Sequence, residues 1–306
     1  MAYYLAPVSN GLGDLIVTIP ILHALIKSGH ETYLIMRSPA QYGLSDKIEG
    51  LAGSIKESEF KPEELKAGDR YFNFRDHPLQ SSSIWGSKEF NDLYPGYKIL
   101  DVLKGICRDF QIDCDFSLQP LSFHKRQDLS QTVIFIPGSA GHFKCWPEKH
   151  WLTLAQLLEE QGIPVLVIGE PERCQIVANV IEAGLPHEPT PGIGDALDLI
   201  SSAKAVVAVD TGLMHLSVHQ GVPTVSIFRY NNMFMRPYKH VRSLVGPVCP
   251  AVCLEREFAD SPNEKLAYPV WQLWEPLTCA LEDEKERCLY GISPQAVFNE
   301  LKELLS

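Results

Sequence analysis

The sequence predicts an α/β protein built from two doubly wound, Rossmann-like domains that face each other across a cleft. Short apolar segments alternate with amphipathic segments of helical period along most of the chain, as parallel sheets with helical crossovers require. A polar connector, QPLSFHKRQDLSQ, interrupts this alternation, which then starts again. The chain has 306 residues, enough for two ordinary domains. We therefore predict an N-terminal domain over residues 1–128 and a C-terminal domain over residues 129–306.

The first half of the alternation contains apolar runs of strand length and segments with apolar residues at helical spacing. In chain order we predict a strand over 3–8, a helix over 15–27, strands over 33–37 and 71–74, and a helix over 102–110. The turn between the first strand and the first helix, SNGLGD, carries two glycines and an aspartate.

The second half repeats the pattern more clearly. Strands are predicted over 132–136, 165–168, 205–209 and 224–228, and helices over 148–161, 196–202 and 213–220. A last amphipathic helix, over about 293–305, begins after Ser293, a good N-cap residue, and we expect it to pack back on the N-terminal domain. Parallel sheets bind ligands at the carboxyl ends of their strands, so the loops that follow strands are the expected sites.

Composition narrows the class of protein. The net charge of −11 argues against nucleic acid as a partner. No apolar run approaches the roughly 20 residues of a transmembrane helix, and the N-terminus does not resemble a signal peptide. We therefore expect a cytoplasmic protein, whose eight cysteines are thiols or metal ligands rather than disulfides.

The turn GLGD does not complete a dinucleotide fingerprint. Ile16 occupies the position of the third glycine, and no acidic residue ends the second predicted strand. The glycines, Gly13 among them, allow a tight turn and let a ligand approach the backbone. Asp14 has two interpretations that the residues alone leave open: an acid favoured by the helix dipole, or a carboxylate that takes a proton from an alcohol.

The segment AVVAVDTGLMH predicts a phosphate site at the start of a helix. Thr211 and Gly212 place a hydroxyl and backbone N–H groups at the helix N-terminus, which suits a pyrophosphate. His215 lies in the first turn and can donate to a phosphate or a hydroxyl. We expect Asp210 to cap this helix and order the loop.

A second strand-to-loop segment, IFIPGSAGHFKCWPEKHW, lacks the Gly-Lys-Ser/Thr of a P-loop. Lys144 is nevertheless placed to lie against phosphates. Trp146 and Trp151 are expected to pack the following helix rather than to stack on a base.

The eight cysteines fall into two groups. The scattered group is consistent with ordinary thiols and consists of Cys107, Cys114, Cys145 and Cys174. The other group clusters near the C-terminus and consists of Cys249, Cys253, Cys279 and Cys288. Four thiolates can hold a structural zinc or iron ion, although their spacing is wider than in ordinary zinc fingers.

The order of these segments carries a family resemblance. GLGDLIVTIPILHAL, IPGSAGHFKCWPEKHWLTLAQLL, IGEPE and ALDLISSAKAVVAVDTGLMHLSVHQGVPTVSIF together resemble the ADP-heptose:LPS heptosyltransferases, over about residues 3–228. CLYGISPQAVFNELKELL adds a weaker match. The resemblance implies the glycosyltransferase B fold and an inverting reaction with no metal ion or other cofactor in the chemical step.

Roles carried over from that family fall on matching positions. Asp14 matches the catalytic base, and Lys144 matches the lysine that meets the donor pyrophosphate. The helix-start phosphate site matches Thr211, Gly212 and His215, with Asp210 beside it. Glu172 is a looser match for an acid that contacts the ribose, with Glu170 as its competitor.

The expected reaction moves a heptose or related sugar from a nucleotide-activated donor to a hydroxyl of a glycan, a lipid-linked acceptor or a protein. The cysteine cluster is similar to that of heptosyltransferases that glycosylate autotransporter proteins, so a protein acceptor is one of the options. Arg75, Asp76 and His77 either contact the acceptor or form a solvated turn. We expect a cytoplasmic enzyme, peripheral at the inner membrane. The alternatives are a non-catalytic nucleotide-sugar or glycan binding module, and a nucleotide-sugar epimerase or hydrolase.

Overall fold

Two separate parallel sheets organise the chain in a computed structural model, which describes residues 1–81, 88–139, 144–229, 232–246 and 289–306. The first sheet has the order β3-β2-β1-β4 and consists of β1 (Ala2–Ala6), β2 (Glu31–Met36), β3 (Gly53–Lys56) and β4 (Arg70–Asn73). The second has the order β6-β5-β7-β8-β9 and consists of β5 (Val133–Ile136), β6 (Val165–Val167), β7 (Ala205–Val209), β8 (Thr224–Phe228) and β9 (Val241–Val245). Every strand pair is parallel. The predicted α/β fold class is confirmed.

Helices connect the strands. In the first half they are α1 (Leu12–Lys27), α2 (Pro39–Tyr42), α3 (Pro78–Ser81), α4 (Lys88–Leu93) and α5 (Ile99–Asp109). In the second half they are α6 (Glu148–Glu159), α7 (Gln175–Glu182), α8 (Ile193–Ser202), α9 (Gly212–His219) and α10 (Pro294–Leu305). None of these helices is long and apolar enough to cross a bilayer.

Helix α1 lies at the junction of the two halves. It is apolar on almost every side, with ten buried residues, which is typical of a helix enclosed by protein. It packs against α9 of the second half, and a single hydrophobic core runs through both helices. Fully burying side chains such as Leu15, Ile16 and Ile19 contributes roughly 1.5–3 kcal/mol each. This apolar contact holds the N-termini of α1 and α9 in a fixed relationship.

The strand order places one switch point in each sheet. In the first sheet the chain leaves β1 toward β2 on one side and returns with β4 on the other. In the second sheet β5 lies between β6 and β7 in the same way. Crevices for ligands open at such points, at the carboxyl ends of the strands. The loops after β1, β4, β5 and β7 are therefore the places to look for a site.

The prediction that the last helix packs back on the N-terminal domain is wrong. Helix α10 packs on α6, β8 and β9 of the second half, because its apolar residues Val297 and Leu301 join the core around Trp146. The indole N–H of Trp146 also donates to the carbonyl of Ile292, just before the helix, at 3.0 Å. The predicted N-cap is confirmed, since Ser293 Oγ accepts the N–H of Ala296 at 3.2 Å.

Candidate functional site

The loop after β1 presents Asp14 at the start of α1. Gly11 is the N-cap of this helix and Asp14 is its third residue, so that Asp14 Oδ2 accepts the Gly11 N–H at 2.8 Å. Gln41, which is fully buried, holds the same loop: its Nε2 donates to the carbonyls of Ser9 at 3.0 Å and Gly11 at 3.1 Å. The Asp14 carboxyl group is thus held by the N-cap of its own helix, α1. The loop before it is held by Gln41 of α2.

The charged groups that act on Asp14 lie in the other half of the chain. Burial raises the pKa of Asp14 to about 6, against the hydrogen bond from Gly11 and the Lys144 ammonium, which lower it. The carboxylate of Asp210 raises it further. Lys144 and Asp210 follow β5 and β7 of the second sheet, so both switch points contribute charge to one site.

Lys144 and Asp210 form an ion pair, with Nζ 2.7 Å from Oδ2. Burial raises the pKa of Asp210, but the Lys144 ammonium and His215 outweigh it and hold the pKa below its usual value. The prediction that Asp210 caps the following helix is wrong: Thr211 is the N-cap of α9, without a side-chain capping bond. The Asp210 side chain turns to Lys144 instead, because an ammonium is a stronger partner for a carboxylate than a backbone N–H.

His215 is buried in the first turn of α9, with Nε2 4.0 Å from Asp210 Oδ1. Burial, together with the positive charge of Arg236, lowers the pKa of His215 to about 3, so its imidazole is neutral at any working pH. The guanidinium of Arg236 donates to the backbone carbonyl of His215. Arg236 is 1% exposed, and although burial lowers its pKa to about 10 it remains charged at neutral pH. The sequence offers no local signal for this arginine, which lies in an irregular segment.

The two helix N-termini approach each other closely at glycines. A Cβ on Gly13 would lie 2.8 Å from Cδ2 of the His215 ring, and one on Gly212 would lie 3.0 Å from the Cβ of Leu12. Each N-terminus carries partial positive charge and unpaired backbone N–H groups. The Lys144 ammonium, which is paired with Asp210 and acts on Asp14, adds positive charge, so the arrangement is suited to an anion such as a pyrophosphate.

The remaining predicted donor residue lies further out. Glu172 is exposed in the loop after β6, whereas its competitor Glu170 accepts from Arg173 Nε at 2.8 Å. Among the described residues, the contacts of these two glutamates do not reach the other site residues. The ribose role stays a prediction.

The three predicted acceptor-side residues lie in different environments. Arg75 NH1 donates to Asn10 Oδ1 at 3.4 Å, so it adjoins the loop of Asp14. Asp76 is exposed. His77 is buried, with Nε2 3.2 Å from Asp109 Oδ2 and Nδ1 accepting the Leu79 N–H at 3.2 Å. Both ring nitrogens of His77 are thus engaged within the first domain, which favours a structural role.

The predicted metal ligands cannot be placed, since Cys249, Cys253, Cys279 and Cys288 lie outside the described residues. Within the described residues no group of three metal-ligating side chains occurs. His219, one turn after His215, is buried and its Nε2 lies 3.0 Å from the carbonyl of Gln119.

Two parallel α/β domains with charged loops at both switch points define a glycosyltransferase B type of fold, and comparisons agree. The family model for glycosyltransferase family 9 (heptosyltransferase) matches residues 106–257. Lipopolysaccharide heptosyltransferase 1 of Pseudomonas aeruginosa is 31% identical over 181 residues, which cover 56% of this chain and 48% of that protein. The chain belongs to glycosyltransferase family 9. The matched segment spans about half the length of that relative.

Solved structures of low sequence identity share the fold. Escherichia coli heptosyltransferase WaaC with ADP-2-deoxy-2-fluoro heptose gives a TM-score of 0.64 at 15% identity, covering 99% of each chain. The iron-containing dodecameric glycosyltransferase TibC from enterotoxigenic E. coli gives a TM-score of 0.61 at 15% identity, covering 99% of this chain and 78% of TibC. These likenesses confirm the predicted fold.

Proposed function

We propose that this protein is an inverting, metal-independent glycosyltransferase that moves a heptose or related sugar from a nucleotide-activated donor to an acceptor hydroxyl. The observation that carries the proposal is the position of Asp14 within electrostatic range of the Lys144–Asp210 pair. A carboxyl group with a pKa of about 6 and an anion site thus meet where two helix N-termini face each other.

In the proposed reaction the acceptor hydroxyl attacks the anomeric carbon of the donor while the nucleoside diphosphate leaves from the opposite face. Asp14 accepts the hydroxyl proton; its Oδ2 is held by Gly11, and a pKa of about 6 suits a general base near neutral pH. Negative charge that develops on the leaving phosphate is stabilised by Lys144 and by the N–H groups at the start of α9.

A neutral His215 adds a hydrogen-bond donor to this site. Because burial holds its pKa at about 3, His215 can donate an N–H to the phosphate without carrying a charge. Arg236 supplies positive charge from beneath, through the His215 carbonyl. Charge neutralisation is thus available from side chains and helix ends of this chain, which supports a chemical step without a metal ion.

For the donor we propose ADP-heptose. The related fold of WaaC binds an ADP-heptose analogue, and the Pseudomonas relative is called a lipopolysaccharide heptosyltransferase. By the same argument we propose that the acceptor is a hydroxyl of a glycan or of a lipid-linked sugar. An enzyme with such an acceptor works in the cytoplasm, peripheral to the inner membrane. A protein hydroxyl is the other acceptor class, tied to the cysteine cluster.

The test is Asp14→Asn with a control that the chain itself provides. Residues 192–195 read GIGD and open α8 as GLGD opens α1: Gly192 is the N-cap, and its N–H donates to Asp195 Oδ2 at 2.9 Å. Asp195→Asn therefore perturbs an equivalent capping bond away from the site. We expect Asp14→Asn to lower turnover of ADP-heptose by about 10²–10⁴-fold and Asp195→Asn to leave it unchanged.

Binding completes this test. Titration with ADP should give an affinity no lower than that of the unchanged protein for both variants, since Asp14→Asn only takes a negative charge away from the anion site. Full turnover by Asp14→Asn would refute the catalytic base. Selective binding of ADP with no turnover by the unchanged protein, over glycan, lipid-linked and protein acceptors, would instead indicate a binding module. Consumption of the donor without any acceptor would indicate a hydrolase or epimerase.

We also propose that Cys249, Cys253, Cys279 and Cys288 hold a structural zinc or iron ion. The four thiols lie within 40 residues of one another, thiolates bind both metals, and the similar fold of TibC is iron-containing. Elemental analysis of the purified chain should find about one metal ion, reduced in a Cys253→Ser/Cys279→Ser variant and unchanged in Cys107→Ser. Equal metal content in the three proteins would refute the site.

A further inference from the structure

We propose that Cys145 and Cys174 form a redox-active dithiol at the edge of the donor site, and that its oxidation to a disulfide weakens nucleotide binding. The two Sγ atoms lie 3.9 Å apart and neither cysteine is in a disulfide. The sequence separates them by 29 positions, and only the fold brings them together.

The pair joins three loops that build the proposed donor site. Cys145 follows Lys144 directly, and Cys174 is the N-cap of α7, two residues after Glu172. The backbone N–H of Ser139 lowers the pKa of both thiols, while Ser139 Oγ donates to the carbonyl of Asp210 at 2.9 Å. A change at the dithiol thus acts directly on the segments that carry Lys144 and Asp210.

In the reduced pair, the surroundings of Cys174 favour its thiolate form and those of Cys145 favour its thiol form. The hydrogen bond from Cys145 lowers the pKa of Cys174, burial opposes it, and the N–H groups of Val177, Ile176 and Ser139 lower it further. The same hydrogen bond, with burial, raises the pKa of Cys145. A thiolate at a helix N-terminus is the usual form of a reactive cysteine, and a neighbouring thiol can resolve its oxidised form.

The oxidation is a two-electron reaction with a peroxide. The Cys174 thiolate attacks one peroxide oxygen, giving a sulfenic acid and hydroxide as the O–O bond breaks. The Cys145 thiol then attacks the sulfenic sulfur, an S–S bond forms, and the hydroxyl group leaves as water with the proton of Cys145. The dithiol loses two electrons, and the peroxide is reduced to one hydroxide ion and one water. A small-molecule thiol reverses the reaction by exchange.

The effect on the nucleotide rests on the proposed donor site. A disulfide bond is about 2.05 Å long, so the sulfurs must move closer by nearly half of their present 3.9 Å separation. Cys174 lies at the start of α7 and packs against Gly138, where an added Cβ would lie 3.3 Å from its Sγ. Closing this distance displaces Cys145, Cys174 or both, and so shifts the segment that carries Lys144 or the turn before α7 at the proposed donor site.

The first experiment maps the bond and does not depend on any activity. The whole chain is treated with hydrogen peroxide, quenched in acid, alkylated under denaturing conditions and digested for mass spectrometry. We expect a cross-linked peptide pair containing Cys145 and Cys174 that disappears with dithiothreitol, while Cys107 and Cys114 are alkylated as in the untreated protein. In Cys145→Ser, the sulfenic acid on Cys174 should persist and be trapped by dimedone. Recovery of Cys145 and Cys174 on separate alkylated peptides from the unchanged chain would overturn the proposal, as would a dimedone adduct on Cys174 of equal yield with and without Cys145.

The second experiment measures ADP binding by titration calorimetry before and after peroxide. We expect the oxidised chain to bind ADP at least about tenfold more weakly, as for a lost charge-assisted hydrogen bond, with recovery in dithiothreitol and no change in peroxide-treated Cys145→Ser. Equal affinity in the mapped disulfide form would overturn the regulation. Absence of ADP binding by the reduced chain would overturn the donor site itself, and the peptide map would then stand apart from it.

Discussion

Gly13 and His215, from opposite halves of the chain, are in van der Waals contact: a Cβ on Gly13 would lie 2.8 Å from Cδ2 of the histidine ring. His215 has little freedom to move, because it is buried and its carbonyl is held by Arg236. Gly13 thus allows the helix that carries Asp14 to lie directly on the helix that carries the anion site.

The first prediction is that Gly13→Ala separates the two helices and reduces activity. We expect a loss of about 1–3 kcal/mol of stability from overpacking and a fall in kcat, since a small displacement between base and donor is costly. Gly194 is the matched control: it occupies the same position in the GIGD turn of α8, and a Cβ there would meet only Lys47 Cε at 4.0 Å. Gly194→Ala should be neutral or stabilising by about 0.5–1 kcal/mol. Thermal unfolding and turnover of both variants check this, and equal behaviour of the pair would contradict it.

The second prediction concerns pH. A base must be ionised to accept a proton, and burial raises the pKa of Asp14 to about 6. We therefore expect kcat/KM to fall about tenfold per pH unit below that value and to level off above it. His215, with a pKa of about 3, does not titrate in this range, so His215→Asn should keep the same midpoint. A midpoint near 4 in the unchanged protein would contradict the raised pKa of Asp14.

The same shift has a consequence for stability. Because the pKa of Asp14 is higher in the folded protein than the ordinary 3.8, ionisation opposes folding, and stability is lost as pH rises from about 4 through 6. Asp14→Asn removes this ionisation. The melting temperature of the variant, relative to that of the unchanged protein, should therefore increase as the pH is raised from 4 to 7.

The third prediction is that Gln41 positions the base. Its amide donates to two loop carbonyls and its Oε1 accepts the Arg37 N–H at 2.8 Å, so Gln41→Leu leaves several buried polar groups unpaired. Each costs about 1–3 kcal/mol, and the loop before Asp14 loosens. We expect a lower melting temperature and a reduced kcat with a smaller effect on ADP affinity, because Lys144 and the start of α9, the proposed phosphate contacts, lie in the other half of the chain. Gln41→Glu, which keeps the acceptor atom, should retain more of the stability. A loss of ADP affinity without a change in kcat would contradict the positioning role.

Much of the architecture is predictable from sequence because its central strands are continuous apolar runs. β7 and β8 are buried at every position and lie over the predicted ranges. The edge strands β3 and β9 were not predicted, since their residues are mostly half-buried and carry no clear pattern. The last helix was assigned to the wrong domain because amphipathicity shows that a helix buries one face and not which partner covers it.

The candidate site likewise combines features that local sequence patterns predict with features that distant contacts determine. Asp14, Lys144 and the start of α9 each follow a strand, as the sequence predicts, and their roles stay predictions. Two features depended on distant contacts that local patterns do not encode. One is the ion pair that turns Asp210 toward Lys144 at 2.7 Å, and the other is the approach of Cys145 to Cys174.

The fourth prediction concerns Arg236 as a source of positive charge beneath the anion site. The side chain is 1% exposed, it keeps its charge with a pKa of about 10, and among the described residues its Nε and NH1 have no hydrogen-bond partner. A buried charge without a counterion is costly, which an anion bound above α9 would offset. Arg236→Met should therefore change stability little in the free protein and weaken ADP binding by about tenfold or more, equivalent to about 1.4 kcal/mol. Arg236→Lys, which keeps the charge, should retain most of the affinity.

Titration with ADP at low and high salt checks the electrostatic origin, because a screened interaction would weaken with salt in the unchanged protein and less so in Arg236→Met. An unchanged affinity in Arg236→Met, with a large loss of stability, would instead assign this arginine to the packing of α9.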